Sequence, residues 1–111
     1  MQRAFRLKKD DLEPPLILRL LDGDQWLDLT TAASVKFTMI PIGGDTPKIT
    51  SATMTVSNQL VKSNHGKVSY TWQGTDTHTV GTYHGIVVVT WPASRVQTFP
   101  SFVIAVDALT A

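Results

Sequence analysis

The chain has 111 residues, of which 42% are hydrophobic and 17% are charged. This length supports one core and one domain, residues 1–111, and the composition is that of a globular protein and not of a disordered chain. Ten basic and nine acidic residues leave a net charge of +1, so charge gives no reason to expect a nucleic acid or a membrane as a partner. The absence of cysteine excludes disulfides and cysteine-ligated zinc.

Apolar and polar residues alternate along much of the chain, and this period of two predicts β-strands. In the first half the alternating segments are Arg3 to Lys8, Leu16 to Leu21, Ser34 to Met39 and Ile49 to Val56. Asp22-Gly23-Asp24 predicts a tight turn, because glycine tolerates positive φ and aspartate bonds its own backbone. We expect a loop from Pro41 to Pro47 and a single helical turn near Thr30 to Ala33.

The second half continues the same pattern. Its predicted strands are Lys67 to Trp72, Thr82 to Trp91 and Phe102 to Val106, with a loop around Pro92 to Pro100. Tyr83 follows Val80-Gly81 at the start of a strand, an arrangement typical of a tyrosine corner, in which the hydroxyl bonds nearby backbone. Seven or eight strands without a sustained helical period predict an antiparallel β-sandwich.

The apolar rows of these strands predict the core. The rows expected inside are Phe5 and Leu7; Leu16, Leu18 and Leu20; Val35, Phe37 and Met39; Ala52, Met54 and Val56; Val68, Tyr70 and Trp72; and Tyr83, Gly85, Val87, Val89 and Trp91. Trp72 and Trp91 thus continue inward rows, whereas Trp26 follows a turn and belongs to none. An exposed Trp26 would suit a carbohydrate-binding platform, which stays open as an alternative function.

Residues that carry chemistry form no recognisable catalytic or metal-binding pattern. The three aspartates between Asp22 and Asp28 lack the alternate spacing and the closing glutamate of a calcium loop. The histidines, at positions 65, 78 and 84, form no zinc-binding pair, and the chain contains neither a nucleophile elbow nor a phosphate-binding loop. We therefore expect no enzymatic activity, no metal and no cofactor.

The strand from Thr82 to Trp91 is apolar on both faces, although a two-layer protein needs only one apolar face per sheet. From Thr77 to Val106 the only formally charged residue is Arg95, whereas monomeric sheet proteins usually protect such surfaces with charge or proline. We expect a second subunit or a partner to cover the second apolar face. The alternative is that the N-terminal arm or the loop from Pro41 to Pro47 folds back over it. The residues expected at this interface are Ile17, Leu21, Thr53, Thr55, Ile86, Val88 and Val103.

Several short motifs, taken in order, resemble one family. They are Leu21-Asp22-Gly23, Asp28-Leu29-Thr30, Val35 with Phe37, Gly66-Lys67-Val68 with Tyr70 and Trp72, Asp76-Thr77, Gly81 with Tyr83, and Thr98-Phe99-Pro100. Spread over almost the whole chain, they resemble the immunoglobulin-like domain at the N-terminus of tailed-phage upper baseplate proteins and related small phage virion proteins. The sequence departs from that family at Pro92 to Ser94. The resemblance implies a glycine-centred hairpin turn at this point, and these three residues include no glycine.

The resemblance implies an immunoglobulin-like sandwich in a virion that is assembled in the cytoplasm of a bacterial host. Its partners would be other phage virion proteins, in the tail, the baseplate or the head–tail junction, and copies of itself in a symmetric assembly. Its role would be binding without catalysis, through apolar contact and through backbone pairing at a strand edge. The alternative, drawn from Trp26, is a carbohydrate-binding module that recognises a glycan of the host surface.

Overall fold

The computed structural model describes residues 5–108, which form β-strands, a single-turn 3-10 helix at Lys62–Asn64 and turns, one of them at Pro92–Ser94. The strands are β1 (Phe5–Lys8), β2 (Leu16–Arg19), β3 (Leu21–Asp22), β4 (Gln25–Trp26), β5 (Ser34–Pro41), β6 (Ile49–Thr53), β7 (Thr55–Val56), β8 (Lys67–Tyr70), β9 (Gly81–Trp91), β10 (Arg95–Thr98) and β11 (Phe102–Asp107). The all-β prediction is confirmed. The first two residues of the strand predicted from Arg3 lie outside the described residues.

The strands form a larger sheet, a smaller sheet and a separate hairpin. The larger sheet has the order β1-β11-β9-β5-β6, and β10 also pairs with β9; the smaller sheet is β2-β8-β7, and β3 pairs with β4. Two sheets around one core are consistent with the predicted β-sandwich. However, β1 pairs with β11 in parallel, so the prediction of a purely antiparallel fold is wrong at this edge. β1 and β11 are far apart in the chain, so no hairpin connects them and forces them to run antiparallel.

The predicted inward rows meet between the two sheets. Phe37 of β5, Leu16 of β2 and Val89 of β9 are fully buried. The ring of Phe37 lies 5.2 Å from that of Tyr70 and 6.1 Å, edge-on, from that of Trp72, which are favourable aromatic geometries. The smaller sheet therefore covers one face of the larger sheet with a continuous apolar layer.

The strand predicted from Ile49 to Val56 changes sheets at Met54. β6 ends at Thr53 beside β5, and β7 begins at Thr55 beside β8. Met54 is buried at this corner, where its amide donates to the carbonyl of Val35 at 2.9 Å. The prediction of one strand with Thr53 and Thr55 on a common face is therefore wrong, because alternation continues unchanged when a strand crosses from one sheet to the other. Val56, expected in the core, is exposed on the short edge strand β7.

The strand predicted from Leu16 to Leu21 also breaks. β2 stops one residue before Leu20, whose amide donates to the carbonyl of Gly66 at 2.8 Å. Leu20 is buried as predicted, but Leu21 belongs to the β3–β4 hairpin. The turn of that hairpin contains Gly23 with a φ of 66°, in agreement with the predicted turn.

Two predictions for the connecting segments are wrong. The loop expected from Pro92 to Pro100 contains β10, which pairs antiparallel with β9; prolines at both ends hid a short strand at a sheet edge, where a missing N–H is tolerated. The helical turn expected near Thr30 to Ala33 is a single hydrogen-bonded turn without helix, in which the amide of Ala32 donates to the carbonyl of Leu29 at 3.0 Å.

A buried glutamine joins the loops at one end of the sandwich. The Oε1 atom of Gln59 accepts from the amides of Leu29 and Gly66, at 3.0 and 3.1 Å. Its Nε2 atom donates to the carbonyls of Ser57 and Asn64, each at 2.7 Å. These bonds satisfy both donors and the acceptor of the side-chain amide, so its burial leaves no polar atom of the group unpaired.

We expect Gly66→Ala to destabilise the protein strongly. Gly66 has a φ of 78°, and a Cβ atom there would clash with the backbone of Leu20. The matched control is Gly43→Ala, since Gly43 has a φ of 83° and open space around it. In urea unfolding the control should lose about 1–2 kcal/mol through its left-handed conformation, and Gly66→Ala at least about 2 kcal/mol more. Equal losses would contradict the close packing against Leu20.

Tyr83 makes the contact expected of a tyrosine corner. Its ring is buried, and its hydroxyl donates to the carbonyl of Thr79 at 2.6 Å. Burial raises the pKa of Tyr83. The pKa of Tyr70 is also raised, by burial and then by the 2.6 Å hydrogen bond from its hydroxyl to the carboxylate of Asp76.

We expect Tyr83→Phe to lower the free energy of unfolding at neutral pH by about 1 kcal/mol, because it removes the bond to Thr79. A phenol whose pKa is raised on folding contributes stability that is fully present below its unfolded pKa of about 10 and is lost as the pH rises through the folded pKa. The difference between the parent and the variant should therefore shrink above about pH 10. Urea titrations from pH 7 to pH 11 measure this difference in the free energy of unfolding. A difference that stays constant over this range would contradict a raised pKa of the buried Tyr83 hydroxyl.

Candidate interaction surface

The outer face of the larger sheet is the face turned away from the smaller sheet. Its rows of neighbouring side chains are Ser34-Thr90-Val96, Thr53-Lys36-Val88-Thr98, Thr38-Ile86 and Ile40-His84-Val103. Four of the predicted interface residues lie in these rows, namely Thr53, Ile86, Val88 and Val103. Strand pairing therefore brings these four residues together on one surface.

The outer face does not belong to the core between the two sheets. Ile86, Val88 and Val103 belong neither to the buried core nor to the partly buried residues that pack against it. They are half-buried instead of fully exposed, because neighbouring side chains on a pleated sheet shield one another. Less of their area is accessible than the alternation of the sequence alone suggests.

The two segments considered as internal covers extend the sheet instead. The described part of the N-terminal arm forms β1 along β11, and the amide of Lys9 donates to the carbonyl of Asp107 at 2.8 Å. In the loop after β5, the amide of Ile42 donates to the carbonyl of Thr82 at 3.0 Å. Both bonds continue backbone ladders of the larger sheet, so these segments lengthen its edges.

On the outer face valine and isoleucine alternate with threonine, and Lys36 is the one formally charged residue in the four rows named above. The next row, Thr82-Ala105-Arg6, adds a second cation at the β1 edge of the same face. The Nζ atom of Lys36 donates to the hydroxyl of Thr53 at 2.7 Å, which holds the ammonium group over the neighbouring edge strand. His84 lies between Ile40 and Val103, and its Nδ1 atom is buried without a hydrogen-bond partner. The face thus offers apolar contact bordered by threonine hydroxyls, with a cation near each edge of the sheet.

Sequence reasoning missed three members of the outer face, of which Thr98 lies, like Val96, within the predicted loop. Val96, which is 63% exposed, was hidden within the predicted loop from Pro92 to Pro100. Ile40 follows the predicted end of its strand at Met39, although β5 continues to Pro41. The alternation begun at Val35 would have placed Ile40 on the outer face if the strand had been extended by two residues.

The other three predicted interface residues lie elsewhere. Ile17 and Thr55 both pair with Ser69, so they share a row on the outside of the smaller sheet. Leu21 pairs with Trp26 in the β3–β4 hairpin. The seven predicted interface residues therefore fall on three separate surfaces, because Met54 and Leu20 redirect the chain.

Trp26 is half-exposed, at 46%, and the guanidinium of Arg19 lies 4.0 Å from the centre of its ring. The Nε atom of Arg19 also donates to the carbonyl of His65 at 2.8 Å, so the cation that stacks on the indole is held in place. Trp72 is buried, and Trp91 packs against the core, as predicted. The three tryptophans therefore form no shared aromatic platform.

The histidines do not converge on a common site. The Nε2 atom of His65 contacts the carbonyl of Gln59 at 2.9 Å, and the Nδ1 atom of His78 contacts the carboxylate of Asp10 at 2.9 Å. His84 lies apart from both, on the outer face. Each histidine thus has a different environment, and a carboxylate contacts the imidazole of His78.

Of the aspartates that follow β2, Asp28 binds the neighbouring residue Thr30. The carboxylate of Asp28 accepts bonds from the hydroxyl and the amide of Thr30, and these bonds lower the pKa of Asp28. Within residues 5–108 there is no pocket and no cluster of potential metal ligands. None of the helical segments in that range has the length and apolar character needed to cross a bilayer.

Comparisons with protein-family models, with curated protein sequences and with solved structures find no match for this chain.

We expect Val87→Ala and Val88→Ala to differ in their effect on stability, because the two residues lie on opposite faces of β9. Val87 is 2% exposed in the core, whereas its neighbour Val88 lies on the outer face. In urea unfolding of the isolated protein, Val87→Ala should cost about 2–3 kcal/mol and Val88→Ala less than about 1 kcal/mol. Equal costs would mean that the outer face is packed as tightly as the core, and would remove it as a candidate surface.

Proposed function

We propose that this chain is a non-enzymatic structural protein of a bacteriophage virion, an immunoglobulin-like sandwich that docks on or bridges other proteins of the tail, baseplate or head–tail junction. The observation that carries the proposal is the outer face, an apolar surface on a sheet whose opposite face already has a complete core. The resemblance of the motifs supports the phage assignment. The bond between Tyr83 and Thr79 supports the immunoglobulin-like assignment, since this contact is a feature of such sandwiches.

The edges of the larger sheet favour docking through its face. On one edge, β6 carries a register shift opposite β5 and a left-handed residue, Ser51, with a φ of 46°. On the other edge, β1 carries Arg6 and Lys8. Bulges and charges of this kind discourage strand addition. A partner is therefore expected to bind by packing side chains against Ile86 and Val88, with Lys36 at the border of the contact.

Sedimentation of phage particles from a bacterium that carries the gene tests this proposal. A tagged chain should co-sediment with the particles. Val88→Lys should reduce the particle-bound fraction about tenfold or more, because it places an unpaired charge in an apolar contact, while the thermal unfolding of the isolated variant stays close to that of the parent.

Ile17→Lys is the matched control, because Ile17 is an exposed isoleucine outside the smaller sheet. This variant should still co-sediment. A chain that is absent from the particles would contradict the virion role, and undiminished binding of Val88→Lys would contradict docking through the outer face.

A carbohydrate-binding module is the second candidate function, and the exposed ring of Trp26 favours it. The emission of Trp26 should then shift and lose its accessibility to quenchers when cell-wall glycan of the host is added, and Trp26→Ala should abolish that response. If the emission of Trp26 does not change when the glycan is added, this candidate function is excluded and the structural role remains the proposal.

A further inference from the structure

The hairpin between β9 and β10 is closed by a strained turn. Trp91 pairs with Arg95, so the loop has three residues, Pro92–Ser94. Ala93 has φ and ψ of 66° and 28°, and Ser94 has a φ of 59°. Two successive left-handed residues would ordinarily be glycine, asparagine or aspartate, because a Cβ atom is disfavoured in this region.

The strand that this turn holds in place contributes little to the core. Arg95, Val96 and Thr98 are exposed, and only Gln97 is half-buried. Its attachment consists of the backbone ladder with β9 and a hydrogen bond from the indole nitrogen of Trp91 to Gln97 at 3.1 Å. β10 by itself therefore opens more easily than the rest of the sheet. β11, which follows it, buries Ile104 and Val106 and pairs with β1 and β9, so an exchange of both strands would take place as the chain folds.

We propose that the hairpin opens at Pro92–Ser94 and that two copies of this chain exchange their β10–β11 segments. In the exchanged dimer β9 of each copy pairs with β10 and β11 of the other, so the ladders of the closed form are made again between chains. Ala93 and Ser94 then return to extended backbone, which continues the extended conformation of Trp91, and the fixed φ of Pro92 is compatible with it.

The balance between the two forms follows from this geometry. The closed monomer and the exchanged dimer make the same contacts with β9, and they differ in the two relieved turns and in the entropy lost on association. Short strained hinges favour such exchange, and the dimer must become more populated as the concentration rises. The inference concerns the chain and its own second copy, and it holds whether or not the outer face docks on another protein.

Two single-cysteine variants test the exchange, because the chain has no cysteine of its own. Thr90 and Val96 are direct partners across the hairpin. Thr90→Cys and Val96→Cys are mixed, unfolded, refolded together over a range of concentrations and oxidised. A disulfide between the two variants is expected on a denaturing gel, in a yield that rises with concentration, because only exchange places position 90 of one chain opposite position 96 of another.

Two controls make the test decisive. The same variants refolded separately and then mixed give the background from surface collisions. Adding Ala93→Gly and Ser94→Gly to both chains relieves the turn in the closed form, so the concentration needed for half-maximal cross-linking should rise about tenfold or more.

A yield no higher than the collision background at every concentration would overturn the proposal. An unchanged yield in the glycine variants would also overturn it, because the strain of the turn would then play no part.

Discussion

The packing of the smaller sheet against one face of the larger sheet is the contact on which the rest of this molecule depends. β9 is paired along both of its edges, so its two faces are the surfaces left to it. One face supplies Val87 and Val89 to the core. The smaller sheet is too limited to wrap around the larger one, and the described ends of the chain extend the ladders. The apolar row on the opposite face therefore lies outside this core and provides the candidate surface.

A sheet of three short strands needs more than apolar contact to stay in place. The backbone connects the two sheets directly at Met54, where the chain leaves the larger sheet and enters the smaller one. At the loop end Gln59 bonds four backbone groups from separate turns, and a buried amide with all its bonds made fixes geometry in a way that an apolar side chain does not. The orientation of the two sheets is thus set by backbone continuity and by one polar network, while the aromatic cluster fills the space between them.

The sequence predicts which side chains of a strand are buried better than it predicts which sheet the strand joins. Val35, Phe37 and Met39 are buried as the alternation predicts, and so are Val68, Tyr70 and Trp72. For the same reason Ile86 and Val88 could be placed on the outer side of β9. Alternation has a period of two on either side of a corner, however, so it cannot reveal that Thr53 and Thr55 belong to different sheets, or that Leu21 has left its strand. Residues such as Ser34, Thr38 and Thr90 complete the candidate surface through pairing between distant strands, which one sequence does not encode in any local pattern.

A free outer face combined with protected edges restricts how such a chain can associate. Addition of a foreign strand is hindered at β6 by its bulge and at β1 by its charges, whereas β10 pairs only with β9. Backbone pairing with another molecule also becomes possible where one of the existing ladders opens. The β9–β10 ladder is the natural place, because its turn is strained and its outer strand is barely buried. Exchange there would leave Ile86 and Val103 on the surface, since the pairing around them is rebuilt unchanged. Self-association through the hairpin and docking through the outer face are therefore compatible, and a chain that did both would join copies of itself while keeping a face for a different partner.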